Sequence, residues 1–100
     1  GKHFWEIYKW FCLYEYFRVK NLPTAFVLIN SEIGAEDAVL KEIKKIKNVV
    51  EAYTVYGVYD IIAKVQAENM EKLKEVVTWS IRRLNKVRST LTMIVIEPTE

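Results

Sequence analysis

The alternation of apolar and polar positions divides most of the chain into short strands and amphipathic helices. Apolar runs at residues 24–30, 50–56, 59–67 and 91–97 predict four strands. Between them, apolar residues recur at the spacing of one helix face. The two sets are Val39, Leu40, Ile43 and Ile46, and Met70, Leu73, Val76, Val77, Ile81 and Leu84. The predicted order is therefore β-α-β-β-α-β.

The residues at the helix ends agree with this order. Glu36 and Asp37 fall in the first turn of the first helix, where acidic side chains complement the helix dipole. Asn69 suits the N-cap of the second helix. The two halves also share a sequence pattern, because an asparagine and a valine precede a strand at residues 48–50 and again at residues 85–87. We therefore predict an α+β fold of the ferredoxin-like type, a four-stranded antiparallel sheet with two helices on one face.

The predicted strands are apolar on both sides. Residues 26–29 and 93–96 are continuous apolar runs, and Ile61 and Ile62 point to opposite faces of the third strand. Helices would cover one face only, and monomers rarely expose a large apolar patch on the other. We therefore expect a dimer formed face to face or along an edge, with the N-terminal segment adding to the same contact or to a higher-order one.

The first 23 residues have a different character and end at Pro23, which pushes the preceding residue out of helical geometry. They hold eight of the thirteen aromatic residues of the chain. These fall nearly all round a helix, which must then be buried or packed on a partner, although aromatic residues also favour strands. We predict a helical extension at residues 1–23, a domain at residues 24–97 and a tail at residues 98–100.

Composition narrows the possible roles of the chain. A length of 100 residues suits one domain, and a formal net charge of +2 is too small for the basic patch typical of nucleic-acid binding. Cys12 is the only cysteine, so no internal disulfide can form. No run of apolar residues is long enough to span a membrane. We expect a cytoplasmic protein with no direct contact to nucleic acid or membrane.

Motifs for catalysis or cofactor binding do not stand out. His3 is the only histidine and has no ligand partner motif with Cys12, so we expect no metal and no cofactor. The three glycines form no phosphate loop or nucleophile elbow. The acidic residues of the first helix and the basic run at residues 82–88 are typical of solvated surfaces. No catalytic residue is predicted.

Two short segments carry the candidate binding chemistry. The segment at residues 56–60 places Gly57 beside Asp60, which begins a strand although aspartate is disfavoured there. Gly57 would permit a tight turn with positive φ, and the Asp60 carboxylate could either cap the hairpin or hold an ammonium group. The hydroxyl-rich segment at residues 89–92 could bind a carboxylate or simply form strand.

These segments, in this order, resemble the effector-binding (RAM-type) domain of the leucine-responsive/AsnC family of transcription regulators. The resemblance covers about residues 24–97. It is carried by the strand at 24–30, by Ala52-Tyr53, by Gly57-Val58-Tyr59-Asp60 and by Ser89-Thr90-Leu91-Thr92. The resemblance implies an amino-acid sensor, not an enzyme, whose dimers assemble into tetramers or octamers and bind the effector between dimers near the β2–β3 turn. The implied ligand-binding residues are Gly57, Tyr59, Asp60, Ser89, Thr90, Thr92, Tyr53 and Val55.

The N-terminus departs from the family pattern. Only 23 residues precede Thr24 and they show no helix-turn-helix pattern, so we expect a stand-alone sensor that assembles by itself or with full-length regulators of the family. Two alternatives stay open. A dimeric αβ-barrel monooxygenase would use a similar sheet, although the lack of histidine after His3 weighs against it. A ligand-free interaction module would need residues 57–60 only as a turn.

Overall fold

The computed structural model describes residues 9–10, 12–13 and 22–96 of the chain. Their elements follow the predicted order. The strands are β1 (Thr24–Ser31), β2 (Val49–Thr54), β3 (Ile61–Gln66) and β4 (Val87–Ile94), and the helices are α1 (Glu36–Lys44) and α2 (Met70–Glu75), the second continuing as a π-helical segment (Val76–Ile81). The sheet order is β2-β3-β1-β4, with every neighbouring pair antiparallel. This confirms the predicted ferredoxin-like α+β fold.

The hydrophobic core lies between the sheet and the two helices. Alternate residues of the central strands are buried, as the two-residue period of a strand requires. Helix residues pack against them. The core includes Val27 and Ile29 of β1, Ile61, Ala63 and Val65 of β3, Val39 and Ile43 of α1, and Leu73, Val76, Val77 and Ile81 of the second helix.

The second helix differs from its sequence pattern in its winding. The Arg82 N–H donates to the Val77 carbonyl at 3.2 Å, an i→i+5 bond that marks the π-helical segment. Val76 and Ile81, five residues apart, both lie in the core. Met70, which the periodicity placed on the same face, is 39% exposed. The predicted N-cap is confirmed, because Asn69 Oδ1 accepts the Lys72 N–H at 2.8 Å.

Strand boundaries shift at two places. Strand β4 begins at Val87, four positions before the predicted start at Leu91, and follows Lys86, whose φ is 73°. The segment between β2 and β3 is a six-residue loop at residues 55–60 rather than a tight turn. Gly57 does not have positive φ; among the described glycines only Gly34 does, at 83°.

The sheet face turned away from the helices carries a cluster of apolar side chains, as expected from the strand pattern, beside the charged residues Lys64 and Glu51. We call it the open face. Pairing places Leu28 between Ile62 and Leu91, and Phe26 next to Met93. Leu91 and Met93 are 45% and 47% exposed, and Phe26, Leu28 and Ile62 are half-buried. This face therefore keeps much of its apolar surface accessible in a single copy of the described chain.

Little of the N-terminal segment can be compared with its prediction. Lys9, Trp10, Cys12 and Leu13 are helical and exposed, and the rest of residues 1–21 lies outside the described residues. The domain limits and the expected lack of a helix-turn-helix therefore stay predictions. In the described part of the chain, no helix has the length and apolar character needed to cross a membrane.

Candidate functional site

A groove opens at one end of the sheet, where β1 ends, β4 begins and the loop at 55–60 joins β3. We call it the end groove. Its volume is about 460 Å³, within the range of small-molecule sites. Its lining is mainly polar and includes three charged side chains. The lining residues are Asn30, Ser31, Ile33, Glu36, Val58, Asp60, Arg88 and Ser89.

The register of β1 and β4 positions one wall of the end groove. Asn30 lies opposite Ser89, and Asn30 Nδ2 reaches Ser89 Oγ at 3.5 Å, which is long for a hydrogen bond. The register shifts between Asn30 and Ser31. The extra residue at this bulge is Arg88 of β4, which also lines the groove. Burial still alternates along β1, so Asn30 and Ser31 lie on opposite sides of the strand and the groove takes residues from both sides of its end.

Asp60 is held firmly at the centre of this arrangement. Its Oδ2 accepts the Ser31 backbone N–H at 3.0 Å and the Ser31 hydroxyl at 3.3 Å. Its own N–H donates to the Ile29 carbonyl at 3.0 Å, and its carbonyl accepts the Val55 N–H at 2.8 Å. Asp60 therefore ties the end of β1 to the loop before β3. Among the described residues, only Oδ2 of its two carboxylate oxygens has a hydrogen-bond partner.

The three charges of the end groove are not paired with one another. Ion pairs within the described residues join Lys45 to Glu42 and Lys72 to Glu75, at sites away from the groove. Glu36 accepts a long bond of 3.4 Å from the Gly34 N–H. Asp60, Glu36 and Arg88 are thus available to a charged ligand. Together with the Ser31 and Ser89 hydroxyls, they can bind both ends of a zwitterion.

The structure brings only part of the predicted ligand-binding set into the end groove. Asp60 and Ser89 line it, whereas the remaining predicted residues do not. Gly57 and Tyr59 flank Val58, the loop residue that lines the groove. Thr90 and Thr92 pair with Ile29 and Val27, whose side chains face the helices, so they point away from the side of Ser89. Tyr53 pairs with Ile62 on the open face, and Val55 is exposed.

Six lining residues were not among those predicted from the sequence, for different reasons. Arg88 and Glu36 fall in charged stretches that are typical of solvated surfaces. Ile33 and Val58 are isolated apolar residues in loops and are 94% and 86% exposed. The polar pair Asn30-Ser31 at the end of an apolar strand was the one available signal, since strand ends often border sites.

A second, larger groove of about 530 Å³ lies between the end of α1 and the start of α2. Its amides already have structural partners. Asn48 Nδ2 donates to the Gln66 carbonyl at 3.0 Å, and Asn69 caps α2. None of the sequence-predicted residues lines it. The end groove is therefore the better candidate site.

The chain is therefore a ferredoxin-like domain with a polar groove at one end of its antiparallel sheet. The chain belongs to the Lrp/AsnC family, because the model of the "Lrp/AsnC ligand binding domain" matches residues 24–99. This confirms the resemblance described above. No curated protein sequence is significantly similar to the chain.

Solved structures agree with this assignment. TTHA0845 from Thermus thermophilus is 34% identical, and the alignment covers 79% of this chain and 99% of that one, with a TM-score of 0.75. AsnC from E. coli is 25% identical over 79% of this chain and 54% of its own, with a TM-score of 0.72. The transcriptional regulator NMB0573 of Neisseria meningitidis, in complex with L-Met, is 14% identical over 78% of this chain and 52% of its own, with a TM-score of 0.69. At that identity the likeness shows the fold alone.

Proposed function

We propose that this chain is an oligomeric sensing module of transcription regulation that binds an amino acid in the end groove. One observation carries the proposal. The Asp60 carboxylate is fixed by Ser31 and shares a groove with the Arg88 guanidinium and the Ser89 hydroxyl. A carboxylate facing a guanidinium and a hydroxyl complements the ammonium and carboxylate of an amino acid. The L-Met complex of NMB0573 supports an amino-acid ligand for this fold.

In the proposed complex, the α-ammonium of the ligand donates to Asp60 Oδ1, the carboxylate oxygen that has no partner among the described residues. The α-carboxylate accepts from Arg88, with the Ser89 hydroxyl as a second donor. Ser31 holds Asp60 in place, so the acceptor is pre-oriented and little side-chain entropy is lost on binding. Binding chemistry of this kind requires no catalytic group, in keeping with a regulator rather than an enzyme.

Self-assembly forms the second part of the proposal. The end groove is wide open, and a ligand held by one copy would stay largely in water. The open face meanwhile exposes apolar side chains of β1, β3 and β4 that a second copy would cover. We therefore expect dimers built on the open face, and further assembly that closes the groove over the effector. Full-length regulators of the family are candidate partners in the same assembly.

A thermal-shift screen of the twenty amino acids tests the ligand. A ligand at 100 times its Kd stabilises the folded state by about 2.7 kcal/mol, which is easily visible as a higher Tm. Asp60→Asn should abolish the shift, because it removes the charge that pairs with the ammonium. Asp37→Asn, an exposed aspartate outside the groove, is the matched control and should leave the shift unchanged.

Two results would oppose the proposal. If no amino acid raises the Tm, the chain is better described as a ligand-free interaction module in which Asp60 only ties two strands together. If light scattering after size-exclusion chromatography gives a monomer at micromolar concentration, the open face is not an assembly surface.

A further inference from the structure

The charges of the end groove suggest the class of amino acid that it binds. Asp60 and Glu36 contribute two carboxylates and Arg88 contributes one guanidinium. We infer that the groove selects an amino acid with a basic side chain, and that Glu36 accepts the side-chain cation. This inference rests on the proposed function, since it assigns the α-ammonium to Asp60 and the α-carboxylate to Arg88.

The charges of the end groove match those of a basic amino acid. No ion pair within 4.0 Å joins any two of these three groups in the described part of the chain. An amino acid with a neutral side chain would satisfy Asp60 and Arg88 and leave Glu36 without a partner. An acidic side chain would add repulsion beside two carboxylates. A basic amino acid brings two cations and one anion, which match the two carboxylates and one guanidinium of the groove.

The remaining lining residues suit a long basic side chain. Ile33 and Val58 are exposed apolar residues on the same groove, at 94% and 86% of their surface. The methylene stem of a lysine-like ligand can pack along such residues while its ammonium stays polar and hydrated. Glu36 is half-buried, and among the described residues its carboxylate accepts only the 3.4 Å bond from the Gly34 N–H, which leaves it able to accept a stronger one.

Glu36 also has an ordinary structural role, which the experiment must separate from ligand binding. It lies in the first turn of α1, where acidic residues stabilise a helix through its dipole. Asp37 occupies the same turn but does not line the groove. Comparison of Glu36→Gln with Asp37→Asn therefore separates recognition of the ligand from stabilisation of the helix.

Titration calorimetry on the purified chain with L-lysine and L-norleucine, which lacks only the side-chain ammonium, is the decisive experiment. We expect lysine to bind about two- to fivefold more tightly than norleucine, the effect of one ion pair in a partly exposed site. Glu36→Gln should remove the preference by weakening lysine binding, and Asp37→Asn should keep the preference. Cadaverine, which lacks the α-carboxylate, should bind more weakly than lysine.

The outcomes distinguish this inference from the proposed function. If norleucine binds as well as lysine, or if the lysine preference persists in Glu36→Gln, the inference is wrong and the amino-acid site stands. If neither compound nor any other amino acid binds, both are wrong. If Glu36→Gln does not fold, the comparison of lysine with norleucine on the unaltered chain still decides the preference.

Discussion

Replacing Asp60 by alanine should destabilise the domain even without a ligand. The Ser31 N–H donates to Asp60 Oδ2 at 3.0 Å, and Ser31 is only 4% exposed. Asp60→Ala would leave this buried N–H without an acceptor, and an unsatisfied buried donor costs about 1–3 kcal/mol. The Ser31 hydroxyl would lose its 3.3 Å bond as well. We expect a loss of about 2 kcal/mol, which lowers the Tm of a domain of this size by roughly 8–16 °C.

Urea denaturation followed by far-ultraviolet circular dichroism measures this loss. The protomer concentration must be held constant across variants, because the stability of an oligomer depends on it. Asp60→Asn keeps an oxygen that can accept the Ser31 N–H and should lose less than half as much. Ser31→Ala removes the hydroxyl but keeps the N–H bond and should also be mild. An Asp60→Ala variant within about 0.5 kcal/mol of the original, the range of ordinary surface substitutions, would refute the reasoning.

Four further changes test other parts of the structure. Ile43→Ala removes a fully buried side chain and should cost about 2–5 kcal/mol in the same urea measurement. Lys86→Gly should stabilise by about 0.5–1 kcal/mol, because Lys86 holds a φ of 73° that glycine adopts without steric cost. Asn69→Ala removes the cap bond to Lys72 and should cost about 1 kcal/mol. Leu28→Glu on the open face should leave secondary structure intact and shift the light-scattering mass towards the monomer.

The order of elements could be predicted because it depends on local periodicity. Apolar residues recur at helical spacing in the two helices and form short runs in the strands, and these two patterns mark the order of elements. The structure differs from the prediction where the spacing of apolar residues does not reveal the local backbone conformation. Residues 76 and 81 are both buried, as the periodicity predicts, but the segment between them is π-helical, and a stripe of apolar residues does not distinguish this from regular α-helix. Strand β4 begins in the polar stretch at residues 87–90, where no apolar run marks it.

The candidate site could be predicted only in part because it is assembled from distant segments. Asp60 could be singled out because aspartate is disfavoured at a strand start. In the structure its carboxylate accepts hydrogen bonds from Ser31. Glu36 and Arg88 became site candidates only once the sheet order placed β1 between β3 and β4. Ser89 lines the groove, whereas Thr90 pairs with Ile29 on the helix side of the sheet and does not. Ligand-binding roles for Thr90, Thr92, Tyr53 and Val55 therefore stay predictions for surfaces other than the end groove.

The end groove borders the open face, so ligand binding and assembly would be coupled in the proposed sensor. Asn30 and Ser89 are the last pair of the β1–β4 ladder on the open-face side, two positions from Leu28 and Leu91, and both line the groove. A second copy that covers Leu28 and Leu91 would come close to the ligand held by Asp60 and Arg88. Because a ligand that contacts both copies binds the assembly more tightly than the separate chains, its binding must favour assembly by the same free energy by which assembly favours binding. In the proposed sensor, effector concentration thereby sets the oligomeric state without any change in the fold of the single domain.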